Sequence, residues 1–78
     1  MSRYLIVIER GGRNYSAFAP DLPGCVATGK TRTEVLRQMR GAIQMHLEGL
    51  REDGLEIPEA STDAGWIEVD SDAKVVAG

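Results

Sequence analysis

Thr31-Arg32-Thr33-Glu34 opens the one segment of this chain that can be both long and regular. The spacing is that of a capping box, in which the Thr31 hydroxyl accepts from the Glu34 backbone N–H and the Glu34 carboxylate accepts from that of Thr31. Behind it Leu36, Met39, Ile43, Leu47 and Leu50 recur at steps of three and four, flanked by Val35, Ala42 and His46. That rhythm makes one broad apolar stripe on a helix. Gly54, after Arg51-Glu52-Asp53, is the expected stop, and Pro58 prevents continuation. Burying five large stripe residues stabilises by about 1.5–3 kcal/mol each before entropy is counted, so a second layer must cover them. Gly41 costs about 1 kcal/mol relative to Ala inside a helix, and close approach of another backbone is the expected reason for it, simple tolerance by the helix being the alternative.

The residues before the helix have strand and turn chemistry. Residues 3–10, Arg3-Tyr4-Leu5-Ile6-Val7-Ile8-Glu9-Arg10, form a β-branched and aromatic run. Gly11-Gly12-Arg13-Asn14 reads as a hairpin turn with positive φ at the paired glycines, leading into an antiparallel strand over residues 15–19. Pro20, Pro23 and Gly24 make a rigid bend in which Asp21 is expected to cap neighbouring backbone. A short strand over residues 25–29 suits a sheet edge. After the helix, residues 59–64 are loop-like and residues 65–70 return to strand composition, with Trp66 anchored in the sheet or, as the alternative, serving at an interface.

The order is therefore β-β-β-α-β: an α+β, two-layer domain with one long helix on a mostly antiparallel four-stranded sheet. Right-handed crossover would lay the last strand parallel to the first. Leu5, Val7 and Phe18 fall on the sheet face away from the helix, which is a candidate dimer surface. At 78 residues the chain makes one domain, with a core over about 3–70 and a short tail at 71–78 in which Val75 and Val76 would need a partner to be ordered. A domain this small buries only about 60% of its unfolded surface, so self-association would help it.

Charge is divided unevenly. Residues 1–51 hold eight Lys/Arg against four Asp/Glu, a balance of +4, while residues 52–78 hold one against eight, a balance of −7. The acidic third suits a basic protein partner better than nucleic acid, because complementary fields speed encounter, although acidic loops also simply keep small domains dissolved. Cys25 is the sole cysteine, which excludes an internal disulfide and a cysteine metal cage and fits a reducing cytoplasm. No apolar run reaches about 18 residues, and no secretory leader opens the chain, so no membrane association is expected.

The residues that could carry chemistry are sparse. Glu9, Asp21 and Glu48 are scattered, whereas metal-dependent nuclease chemistry gathers carboxylates around two ions. His46 sits at the margin of the stripe without an evident nucleophile, and Cys25 reads as buried filler. Arg32, Arg37 and Arg40 lack interleaved aromatics and read as a solvated face. No catalytic, cofactor-binding or metal-binding residue is assigned, and the chain is not expected to be an enzyme.

Pro20-Asp21-Leu22-Pro23-Gly24-Cys25, Gly29-Lys30-Thr31 leading into the capped helix with Glu34, Leu47-Glu48-Gly49-Leu50, Asp53-Gly54 and Ile57-Pro58 together resemble the HicB antitoxin family, over roughly residues 3–70. The resemblance implies a reduced ribonuclease H fold without a nuclease site. It also implies an antitoxin that binds and sterically neutralises a HicA-type toxin, a small basic ribonuclease that cleaves messenger RNA. The charge division nominates Glu56, Glu59, Asp63, Glu68, Asp70 and Asp72 as toxin-binding residues. The alternative is a homo-oligomeric binding or scaffold module without a toxin, and a dimer or higher homo-oligomer is expected in either case. Many members carry a C-terminal DNA-binding segment; only eight residues follow Asp70, so direct DNA binding is not expected of this chain alone. The family's usual aromatic near His46 and a second proline after Pro58 are missing.

Overall fold

The computed structural model describes residues 2–72. Three strands, β1 (Val7–Arg10), β2 (Tyr15–Phe18) and β3 (Val26–Gly29), precede one helix, α1 (Arg32–Glu52). The sheet is antiparallel in the order β1-β2-β3, which leaves β1 and β3 as its edges. Among the described residues there is no fourth strand: residues 65–70 have strand composition but no strand partner, and all of them are exposed. Composition marks what can enter a sheet, and only a neighbouring edge makes it a strand. The Val75 and Val76 of the expected tail lie outside the described residues.

β1 is also shorter than its sequence suggests. Phe18 pairs with Val7, and the chain then turns away through Ala19 and Pro20, so residues 3–6 have no β2 residues opposite them. The hairpin closes on the Arg10–Tyr15 pair, where the Arg10 guanidinium lies 6.0 Å from the Tyr15 ring centroid, at the limit of a cation–π contact. The Gly11 N–H donates to the Asn14 carbonyl at 2.8 Å. Neither Gly11 nor Gly12 has positive φ, contrary to expectation, because a four-residue loop can turn through ordinary backbone conformations.

α1 starts where the sequence places it. Thr31 is the N-cap and its hydroxyl accepts from the Glu34 N–H at 3.0 Å. Its end is a Schellman motif: Gly54 N–H donates to Arg51 O at 3.0 Å, Leu55 N–H to Leu50 O at 2.9 Å, and Gly54 has φ of 67°. The stripe is rotated from its expected position. Val35 and Met39 are fully buried, Ala42, Ile43, His46, Leu47 and Leu50 are half-buried, and Leu36 is left at the boundary of exposure.

The glycine of close approach is Gly29, not Gly41. A Cβ on Gly29 would lie 2.6 Å from the Val35 nitrogen and 2.9 Å from its Cα, so the end of β3 touches the first turn of α1 backbone to backbone. Around Gly41 there is nothing within 4 Å of a Cβ. The tight contact lets Val35 and Met39 reach Ala17, Ala19, Leu22 and Cys25, and these six residues form the core. Tyr4, Ile6, Ile8, Tyr15 and Ala27 pack around it from the sheet side. The opposite sheet face carries the cross-strand row Val7–Phe18–Val26, open to solvent at Phe18 and Val26.

Candidate functional site

Residues 19–25 build the base of the site. The bend is held by backbone bonds, from Ala19 N–H to Cys25 O at 3.1 Å, Leu22 N–H to Ala19 O at 3.0 Å and Cys25 N–H to Leu22 O at 3.0 Å, with Gly24 at φ of 83°. Leu22 and Cys25 are driven into the core, which turns Asp21 outward. Its carboxylate then does something the local sequence does not reveal. Oδ2 accepts from the N–H groups of Ser61 and Thr62 at 3.0 Å each, and Oδ1 from their hydroxyls at 3.2 and 2.6 Å. Asp21 thus caps backbone some 40 residues away rather than its own turn. The Thr62 hydroxyl and N–H, with those of Ser61, favour the ionised carboxylate and hold its pKa below the ordinary 3.8.

A second tie is the Tyr4 hydroxyl, which donates to the Pro58 carbonyl at 2.6 Å. Together these bonds fix residues 58–62 at the base of the sheet. Beyond Thr62 the hydrogen bonds among the described residues are local: Ala64 N–H to Asp63 Oδ1 at 2.8 Å, and Asp72 N–H to Asp70 Oδ1 at 3.0 Å. Residues 63–72 therefore form an arm. Trp66 is 100% exposed, Ile67 87% and Val69 78%, so Trp66 is not anchored in the sheet. The Cα radius of gyration is 16.3 Å, against about 12 Å for a compact domain of this length.

Glu56, Glu59, Asp63, Glu68, Asp70 and Asp72 all lie exposed on the arm and on the segment leading to it. From Glu52 to Asp72 the chain has eight acidic and no basic residues. Asp63 is brought, with Thr62, to a gap of about 420 Å³ opposite Arg3, Tyr4, Leu5 and Ile6. The remaining five are placed along the segment rather than gathered around one point.

The residue types of catalysis are differently placed. Cys25 and His46 line the same small groove of about 210 Å³, together with Val26, Ala42 and Met45, a proximity that their separation in sequence hides. Burial pushes the Cys25 thiol up from its ordinary value, so it is held as the neutral thiol, the opposite of the thiolate a cysteine–histidine nucleophile needs. Among the described residues no three of His, Cys, Asp and Glu are grouped as metal ligands. Arg32, Arg37 and Arg40 are exposed on α1. No helix in the described residues is long and apolar enough to cross a membrane.

The arm thus carries carboxylates and large apolar side chains into solvent, away from the small core. Comparisons with known proteins place the chain among relatives. Over 58 residues the chain is 38% identical to a 14.9 kDa protein of the rep-hol intergenic region of Haemophilus phage HP1, covering 74% of this chain and 44% of the phage protein. It is 45% identical over 49 residues to a UPF0150 protein of Helicobacter pylori, covering 63% of this chain and 68% of that one. A UPF0150 protein of Thermoplasma acidophilum is 33% identical over 57 residues, covering 72% and 83%. The chain thus spans under half the length of the phage relative and most of the two others. No solved structure matches it. A family model described as the HicB_like antitoxin of bacterial toxin-antitoxin systems matches residues 4–76, nearly the whole sequence, and the chain belongs to that family.

Proposed function

We propose that this chain is the antitoxin of a type II toxin–antitoxin pair, acting without catalysis in the cytoplasm by covering the active centre of a HicA-type ribonuclease toxin. The family match over residues 4–76 carries the reading. The exposed acidic segment supports it physically: Glu56, Glu59, Asp63, Glu68, Asp70 and Asp72 offer a dense negative field to a basic partner, which raises the rate of encounter and disfavours acidic competitors. In this reading residues 1–78 are one domain with its core over about 3–70. Residues 65–70 become the fourth strand of a reduced ribonuclease H-like sheet only when they find an edge.

The test is co-expression with the neighbouring small basic reading frame. Relief of its growth arrest, weakened when Glu56, Glu59 and Asp63 are replaced by Lys, is the expected result. Arrest that continues unrelieved would sink the assignment. A second reading, a homo-oligomeric scaffold with no toxin, draws on the solvent-open row Val7–Phe18–Val26. Self-association is part of both readings.

A further inference from the structure

We infer that two copies of this chain exchange their arms, residues 65–70 of each lying along the free edge of β1 in the other and filling the groove beside it. The inference deepens the self-association proposed above and rests on that reading. Three observations carry it.

The first is an unfilled slot. Among the described residues β1 is an outer strand with no strand on its far side. Beside it a groove of about 300 Å³ is lined by Tyr4, Ile6, Leu36, Met39, Arg40 and Ile43, between the residues leading into β1 and the overhanging side of α1. Leu36, which belongs to the apolar stripe but is left partly in solvent, faces this groove. Residues 3–6 have the composition of a strand and no β2 residues opposite them, so pairing on the free side would complete the run that the sequence begins at Arg3.

The second is an unplaced strand. In extended backbone Ile67 and Val69 share one side, and Trp66, Glu68 and Asp70 the other. With Ile67 and Val69 in the groove, Trp66 falls on the open face of the sheet beside Val7, extending the row Val7–Phe18–Val26. Such main-chain pairing with side chains alternating into pockets is how an extended segment adds to a sheet edge.

The third is charge. The segment from Glu52 to Asp72 is wholly acidic among its charged residues, while residues 1–51 carry +4, with Arg40 in the groove, Arg3 ahead of β1 and Arg10 at its end. One copy therefore presents both halves of a complementary pair. The Asp21 bonds to Ser61 and Thr62 fix the root of the arm, and in the single chain the residues beyond stand away from their own groove. Reciprocal exchange about a two-fold axis satisfies both copies at once and leaves no arm unpaired.

The full-length chain, without any toxin, tests this through its mass in sedimentation and the emission of its single tryptophan, Trp66. A dimer is expected, with Trp66 emission blue-shifted and returning to that of exposed indole as dilution yields monomer. Ile67→Glu in the arm or Leu36→Glu in the groove is expected to weaken the dimer at least about 10-fold, the consequence of losing one large apolar contact. Both positions are solvent-accessible in the single chain, and helical circular dichroism should be unchanged. Because each variant keeps the half the other lacks, mixing the two should restore a heterodimer through one intact arm and one intact groove. A monomer at all concentrations, a concentration-independent buried Trp66, or a dimer in which Trp66 remains exposed would each overturn the exchange. Those results would leave toxin neutralisation untouched, since it is read by growth rescue.

Discussion

The Asp21 carboxylate and Thr62 are joined twice, through the Thr62 hydroxyl at 2.6 Å and its N–H at 3.0 Å, across 41 positions of sequence. With the matching pair of bonds from Ser61 this connection ties the bend before β3 to the root of the acidic arm.

These bonds make the attachment of the arm dependent on pH. Asp21 has its folded pKa depressed below 3.8, so the stabilisation is present at and above the unfolded value and is lost only as pH falls through the lower, folded one. The amide resonances of Ser61 and Thr62, followed by NMR, should hold steady from neutral pH to about pH 4 and then shift with a midpoint below 3.8. In Asp21→Asn that titration should vanish, and protease cleavage near residue 62 should quicken. A midpoint at or above the ordinary aspartate value would contradict the bonding described.

Gly29→Ala should be strongly unfavourable for its size. The added methyl would meet Val35 backbone atoms at 2.6 and 2.9 Å, and backbone in a helix's first turn cannot swing aside as a side chain can. Overpacking of this kind costs about 1–3 kcal/mol, measurable as a lowered urea midpoint with unchanged slope.

Gly41→Ala should have the reverse sign. The position is exposed in the middle of α1 with nothing within 4 Å of a new Cβ, so the gain is that of helix propensity, about 1 kcal/mol. An equal loss from both glycine substitutions would refute the contrast.

Cys25 should react slowly with thiol reagents at neutral pH. It is buried at 4% exposure, and burial raises its pKa, so both access and thiolate content are low until the chain unfolds. Labelling should rise steeply across the urea transition; rapid labelling of the folded protein would mean that the bend opens readily.

Much of this architecture is legible in the residues because its causes are local. Thr31 with Glu34, Gly54 with its neighbours, and the Pro20–Cys25 bend each determine conformation within a few positions, and α1 begins and ends where they place it. What escapes a sequence reading depends on distant partners. The purpose of Gly29 is set by Val35 lying across it, and the role of Asp21 by residues that arrive 40 positions later. Gly41 and Gly29 are indistinguishable as letters, since only the packing tells which one another backbone crosses. Trp66, Ile67 and Val69 have the composition of a buried strand, yet in the single chain no edge receives them. The acidic character of residues 52–72 is plain from composition; that Asp21 and Tyr4 hold its middle against the domain is not.

Among the described residues the six that are fully buried in the core fall between Ala17 and Met39. Tyr4, Ile6, Ile8, Ala42, Ile43 and Leu47 close that interior from either side, whereas residues 63–72 add nothing to it. Substitutions from Asp63 to Asp72 can then accumulate without disturbing the scaffold from which that segment hangs.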